Sequence, residues 1–110
     1  MAFSKKTSFE AEDIEISDFA KAMAHPARVA ILKLLSSRQE CICGDIVSEL
    51  PLSQATVSQH LKELKQAGLI NASVSGPKVC YTINSAAWKR ALNSIESMFW
   101  IYDFEGQSTG

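Results

Sequence analysis

Residues 53–67 place short hydrogen-bonding side chains and lysines on one face of a predicted helix. On a helical wheel, Val57, Leu61 and Leu64 cluster on the opposite side, which would face a core. A short-chained polar face can enter the DNA major groove, about 12 Å wide, and reach base edges. The side chains predicted to contact DNA, on this helix and in the hairpin predicted after it, are Ser53, Gln54, Thr56, Ser58, Gln59, Lys62, Lys65 and Lys78.

These side chains divide between reading bases and holding the DNA backbone. A glutamine amide, at Gln54 or Gln59, can pair with adenine, and the neighbouring hydroxyl groups can reach phosphates or bases. Lys62 and Lys65 would meet phosphates and make the affinity salt-dependent. The alternative interpretation is an ordinary amphipathic surface helix. His60 lies on the flank of the apolar stripe and is predicted to be a partly packed histidine rather than a metal ligand.

Periodicity, capping residues and turn residues predict how this helix is positioned. Ser17 and Ser53 are expected to cap helices, Pro26 to open one, and Gly68 to end one. The predicted elements are helices over 17–24, 26–37, 45–50 and 53–67, strands over 69–75 and 78–83, and a last helix over 85–104. Two helices joined by a tight turn and followed by a two-stranded wing form a winged helix-turn-helix, which is a DNA-reading arrangement. The fold class is therefore mainly α with a two-stranded β-hairpin.

Length and charge are compatible with this prediction. A chain of 110 residues fits one domain, with 14–105 as the folded part and 1–13 and 106–110 as flexible ends. The formal net charge of −1 counts against a strongly basic nucleic-acid binder. Most acids, however, lie near the two ends, and between residues 54 and 78 the lysines outnumber the single acid, Glu63. The middle of the chain can therefore still form a local positive patch.

Other features bear on location and on enzymatic activity. No apolar run approaches the roughly 18 residues of a membrane span, and the first lysines are not followed by the apolar run of a secretory signal. A cytoplasmic location without a membrane partner is expected, with Cys41, Cys43 and Cys80 as reduced thiols or ligands. An enzyme is not expected, because no catalytic motif surrounds either histidine, His25 or His60.

Three stretches of the sequence resemble the ArsR/SmtB family of winged-helix repressors. They are Phe19–Leu35, in which a proline and an arginine precede an aliphatic run, Ser53–Ile70, which covers the predicted DNA-reading helix and its exit, and Gly76–Tyr81 at the predicted wing. The resemblance extends over about residues 15–105. It implies a sequence-specific repressor that binds duplex DNA. A winged-helix module that binds proteins instead of DNA is the alternative, since the net charge is near zero and the wing carries only Lys78.

The resemblance also implies a homodimer, with the first and last helices at the interface. The last helix supports this independently, because its aromatic residues offer more apolar surface than one small domain can bury against itself. Capping of the monomer core by this helix is the alternative. A twofold dimer would read an inverted repeat. The predicted interface residues are Phe19, Met23, Trp88, Leu92, Ile95, Phe99 and Tyr102.

Cys41-Ile42-Cys43 lies where members of this family often carry a sensing Cys-x-Cys pair. In an extended segment both sulfurs point the same way, so the pair could bind As(III) or another thiophilic ion. Ile46 stands where a third cysteine of an arsenic site is expected, and two thiolates leave a tetrahedral zinc site half filled. Two alternatives stay open: buried cysteines without a ligand, and a thiol-oxidation switch that involves Cys80.

Overall fold

The computed structural model describes residues 8–38 and 45–109. In chain order the elements are α1 (Ala11–Ala22), α2 (Pro26–Ser37), α3 (Asp45–Glu49), α4 (Gln54–Gln66), β1 (Ile70–Ser75), β2 (Lys78–Ile83), α5 (Ser85–Phe99) and α6 (Phe104–Thr109). The predicted fold class, mainly helical with one antiparallel hairpin, is confirmed. No helix within the two described stretches is long and apolar enough to cross a membrane.

The first helix begins earlier than the sequence analysis predicted. Ser17 is not its cap, because Ser17 lies inside α1 and donates its hydroxyl hydrogen to the carbonyl oxygen of Ile14 at 2.9 Å. Glu12 and Asp13 occupy the first turn of α1, where negative charge interacts favourably with the helix dipole. These two acids are the signal that the prediction missed.

Helix α2 lies at the centre of the domain and packs against α4 and β2. Its residues Ile31, Leu32 and Leu35 are buried. They join a single core to which the other elements and the α4–β1 connection contribute Phe19, Ala22, Ile46, Val57, Leu61, Leu64, Leu69, Ile70 and Ala91. Because α4 contributes its whole apolar side to this core, its other side is left for solvent.

The exit from α4 and the hairpin follow the predicted turn signals. Gly68 has φ +81°, and the amide of Leu69 donates to the carbonyl of Leu64 at 3.1 Å, which closes the last turn of α4. Because the Leu69 amide donates within this turn, it does not pair with the other strand, and β1 begins one residue later than predicted, at Ile70. Strands β1 and β2 pair from Ile70 opposite Ile83 to Ser75 opposite Lys78.

The predicted last helix is two helices. Helix α5 ends at Phe99, before the predicted end at 104, and a separate helix, α6, runs from Phe104 into 106–110, the predicted tail. Between them, Asp103 accepts a hydrogen bond on its carboxylate from the amide of Gly106 at 2.7 Å. An aspartate that caps a new helix competes with continuation of the old one, which explains the break.

Candidate nucleic-acid interface

Helix α4 begins with the cap that the sequence predicted. Ser53 is extended, and its hydroxyl oxygen accepts a hydrogen bond from the amide of Thr56 at 3.3 Å. The two hydroxyl oxygens of Ser53 and Thr56 also lie 2.9 Å apart. The cap thus fixes where α4 starts.

The side of α4 opposite the core is polar and open to solvent. Val57, Leu61 and Leu64 are buried, as the wheel predicted. All eight side chains predicted to contact DNA are exposed, seven along α4 and its cap and Lys78 at the first position of β2, next to the turn of the hairpin: Ser53, Gln54, Thr56, Ser58, Gln59, Lys62, Lys65 and Lys78. The helix therefore offers a continuous face of donors, acceptors and positive charge.

One of the two candidate base-reading amides is engaged within the helix. The Gln59 amide nitrogen donates to the Glu63 carboxylate at 3.1 Å, one helical turn away. An amide pairs with adenine through both its oxygen and its nitrogen, so Gln59 would have to give up or share this bond to read a base. Gln54, in the exposed first turn, requires no such exchange in the hydrogen bonds described.

The inner side of α4 carries a buried polar residue, His60, whose side chain is only 8% exposed. Arg28 of α2 donates from Nε to His60 Nδ1 at 3.2 Å, and from Nη1 to the carbonyl oxygen of Ala22 at 3.1 Å. The ring of His25 lies 4.4 Å from the ring of His60, centroid to centroid. The apolar stripe of α4 predicts a packed His60, but no local pattern indicates its partner Arg28, which lies 32 positions earlier in the chain.

The surroundings of His60 favour its neutral form. Burial is the largest cause that lowers the pKa of His60 below its usual 6.5, followed by the nearby His25 and Arg28, whereas Glu63 acts in the opposite direction. A neutral imidazole whose Nδ1 accepts a hydrogen bond carries its single hydrogen on Nε2. His60 is thus a hydrogen-bond acceptor for Arg28.

The residues predicted for a dimer interface fall into two groups. Met23, Trp88, Leu92, Ile95 and Phe99 line one apolar groove of about 370 Å³ along α5. Phe19 is instead in the core of the domain, and Tyr102 follows α5, with its ring 4.9 Å from that of Phe104. Ile101, also strongly exposed, was not among the predicted residues.

The predicted metal ligands Cys41 and Cys43 lie outside the described residues. Cys80 is half-buried in β2, opposite Ser73 of β1. Within residues 8–38 and 45–109, no group of three or more His, Cys, Asp or Glu side chains could hold a metal ion.

Comparison with known proteins agrees with this geometry. Residues 25–72 match the family model described as "Bacterial regulatory protein, arsR family". The HTH-type transcriptional repressor SmtB of Mycobacterium tuberculosis is 39% identical over 66 residues, which cover 60% of this chain and 48% of that protein. The chain therefore spans about half the length of this curated relative.

Two further relatives extend the likeness. The arsenical resistance operon repressor of Staphylococcus xylosus is 36% identical over 70 residues, which cover 64% of this chain and 66% of that protein. The transcriptional activator HlyU of Vibrio cholerae is 34% identical over 79 residues, 72% of each protein. The solved structure of HlyU aligns with a TM-score of 0.67 and 32% identity over 86% of this chain and 98% of that one. The chain belongs to the arsR family of winged-helix, DNA-binding transcriptional regulators, a family that does not consist of enzymes.

Proposed function

We propose that this protein is a cytoplasmic homodimeric repressor that binds an inverted-repeat operator, with α4 in the major groove and the hairpin turn against the adjoining backbone. One observation carries the proposal: α4 buries every large apolar side chain and turns an uninterrupted polar face to solvent. The exposed side chains near the start of α4 are short and can form hydrogen bonds, and lysines follow them, as suits a helix whose first turns enter the major groove.

Within this proposal the side chains of α4 have separate roles. Gln54 and Gln59 contact adenines, and Gln54 does so at lower cost because Gln59 is engaged by Glu63. Lys62 and Lys65 neutralise phosphates. The hydroxyl groups near the start of α4 and Lys78 on the hairpin fix the register of the protein on the duplex.

The dimer is proposed from the apolar face of α5. Leu92 and Phe99 are 62% and 59% exposed and border the groove that Met23 and Trp88 also line. A small protein seldom leaves so much contiguous apolar surface in water, and a second copy can cover it through the same surface. Twofold symmetry would then place two copies of α4 about one DNA turn apart, roughly 34–36 Å.

Fluorescence anisotropy with duplex DNA from upstream of the protein's own gene tests the proposal. The double variant Gln59→Ala, Lys62→Ala should bind at least about tenfold more weakly, since a base contact and a phosphate contact are each lost. Lys33→Ala is the matched control, because it removes one exposed lysine from α2 rather than from α4. Binding that the double variant leaves unchanged would rule out α4 as the reading helix. Absence of binding by the native protein would favour a protein-interaction module.

For the effector, we propose that As(III) or another thiophilic ion, bound by Cys41 and Cys43, releases the protein from DNA. The spacing of the two cysteines supports this, as does the likeness to a relative whose name refers to arsenical resistance. Arsenite should release the native protein and the Cys80→Ser control, while Cys41→Ser and Cys43→Ser variants stay bound. If arsenite has no effect but an oxidant releases the protein, the cysteines act as a redox switch instead.

A further inference from the structure

Three side chains that lie outside the proposed DNA-contacting face connect α4 to the start of α2. His60 projects from the inner side of α4, Arg28 donates to it at 3.2 Å, and the His25 ring lies 4.4 Å away, centroid to centroid, tilted by 48°. We call Arg28, His25 and His60 the α2–α4 brace. It is the polar part of a contact that is otherwise formed by apolar packing between α2 and α4.

The brace depends on the protonation state of His60. Nδ1 must be unprotonated to accept from Arg28, and the guanidinium cannot be deprotonated in turn. If His60 takes up a proton from solvent, both ring nitrogens carry hydrogen, and the Nδ1–H group then faces the Nε–H group of Arg28. Two donors with like charge at this distance repel each other, so the proton breaks the hydrogen bond.

The charged groups around His60 give no strong compensation for that proton. Arg28 and His25 approach from the start of α2, and Glu63 from α4 itself. Glu63 lines a groove together with Arg28 and with Asp18 and Lys21 of α1. Strand β1 carries no titratable residue. Glu49 of α3 forms an ion pair with Arg38.

His25 adds a second contact that requires an unprotonated nitrogen. Its Nδ1 accepts from the amide of Ala27 at 3.0 Å and so caps α2. The tilted His25 ring also lies close enough to His60 to disfavour a proton on His60.

We propose that protonation of His60 is a pH switch that loosens the contact between α4 and α2 and so weakens specific DNA binding in mildly acidic solution. The inference rests on the proposed DNA-binding function. Its physical basis is that base contacts tolerate little misplacement of the reading helix, whereas phosphate contacts through flexible lysines tolerate more. Acid should therefore weaken binding to the operator more than binding to unrelated duplexes.

Anisotropy titrations between about pH 5.5 and about pH 8, at fixed salt, test the switch across the range in which histidines titrate. The native protein should lose roughly three- to tenfold in operator affinity at the acidic end, because protonated His60 no longer accepts the hydrogen bond from Arg28. His60→Asn provides a carboxamide oxygen near the position of Nδ1 but cannot titrate, so its affinity should change little with pH. His25→Asn, the matched control, retains a capping acceptor and should keep most of the native pH dependence.

Three outcomes would overturn the switch: a native affinity that does not change with pH, an affinity that rises in acid, or the same pH dependence in His60→Asn. NMR of the histidine ring nitrogens and the backbone amides, recorded on the native protein without DNA, provides a test that does not depend on any variant. Protonation of the His60 ring should coincide with shifts in the α4 amides. If those amides stay unchanged while the ring titrates, the switch is wrong even if the protein binds DNA. If the coupled shifts occur but no duplex binds at any pH, the proposed DNA-binding function fails instead.

Discussion

Helices α4 and α5 differ in where their large apolar side chains lie: those of α4 are buried in the core, whereas several of those of α5 are exposed to solvent. In α4, Val57 and Leu64 are essentially inaccessible to solvent. In α5 the buried residues are small, Ala87 and Ala91, whereas Leu92 and Phe99 project into solvent. Helix α4 thus buries its apolar side within one chain and leaves a polar face for a polar partner. Helix α5 leaves an apolar face exposed, and a second copy of the chain is the proposed partner for it.

The largest expected effect comes from truncating the core side of α4. Leu64→Ala should lower the free energy of unfolding by about 3 kcal/mol, because a fully buried leucine leaves a cavity. Leu92→Ala on α5 should change the stability of the monomer by only about 0.5 kcal/mol, since its side chain is largely in solvent. Chemical denaturation at several protein concentrations measures both. Equal losses in the two variants at low concentration would contradict the contrast between the helices.

The apolar face of α5 gives the next largest effect, on assembly. Phe99→Asp should weaken the proposed dimer at least about tenfold, because it places a charge in an apolar contact. Ser97→Asp, an exposed position of α5 outside the groove, should leave assembly unchanged. Sedimentation velocity over a range of concentrations distinguishes the two. A Phe99→Asp protein that assembles as well as the native one would mean that this face has a different partner.

Removal of the α4 cap should have a smaller effect. Ser53→Ala should destabilise the protein by about 1 kcal/mol, because the amide of Thr56 loses its acceptor. Ser58→Ala, an exposed change in the same helix away from the cap, should be close to neutral. Thermal unfolding followed by circular dichroism is sufficient to compare them. If the two variants melt together, the hydroxyl of Ser53 does not fix the start of the helix.

The smallest expected effect is the pH dependence of stability that His60 contributes. Its pKa is lowered on folding, first of all by burial, so the unfolded chain binds the proton more readily. The free energy of unfolding should therefore be highest above the pKa of His60 in the unfolded chain, about 6.5, and should decline as the pH falls from there toward its pKa in the folded protein. Urea unfolding at a series of pH values measures this, and His60→Asn should remove the slope in that window. A native slope of the opposite sign would mean that His60 is stabilised as a cation.

Local signals made much of α4 and the hairpin predictable. Ser53 and Gly68 act within one turn of their own positions, and the structure has a cap and a helix end there. Where local signals conflicted, the prediction was wrong. Ser17 was chosen as a cap, although the acids at 12 and 13 indicated an earlier start. The aromatic residues after Phe99 continued the helical pattern, so the prediction did not identify Asp103 as the cap of a separate helix.

The sequence by itself determined the family resemblance, the sides of α4 and the exposed residues that could contact DNA, because periodicity and capping depend only on near neighbours. Only the tertiary structure decided that Arg28 meets His60, that Phe19 joins the core while Leu92 remains in solvent, and that Gln59 is engaged by Glu63. Hydrophobicity specifies that a side chain prefers burial. Which chain segment buries it, and how much surface remains for a partner, depends on contacts between residues far apart in sequence.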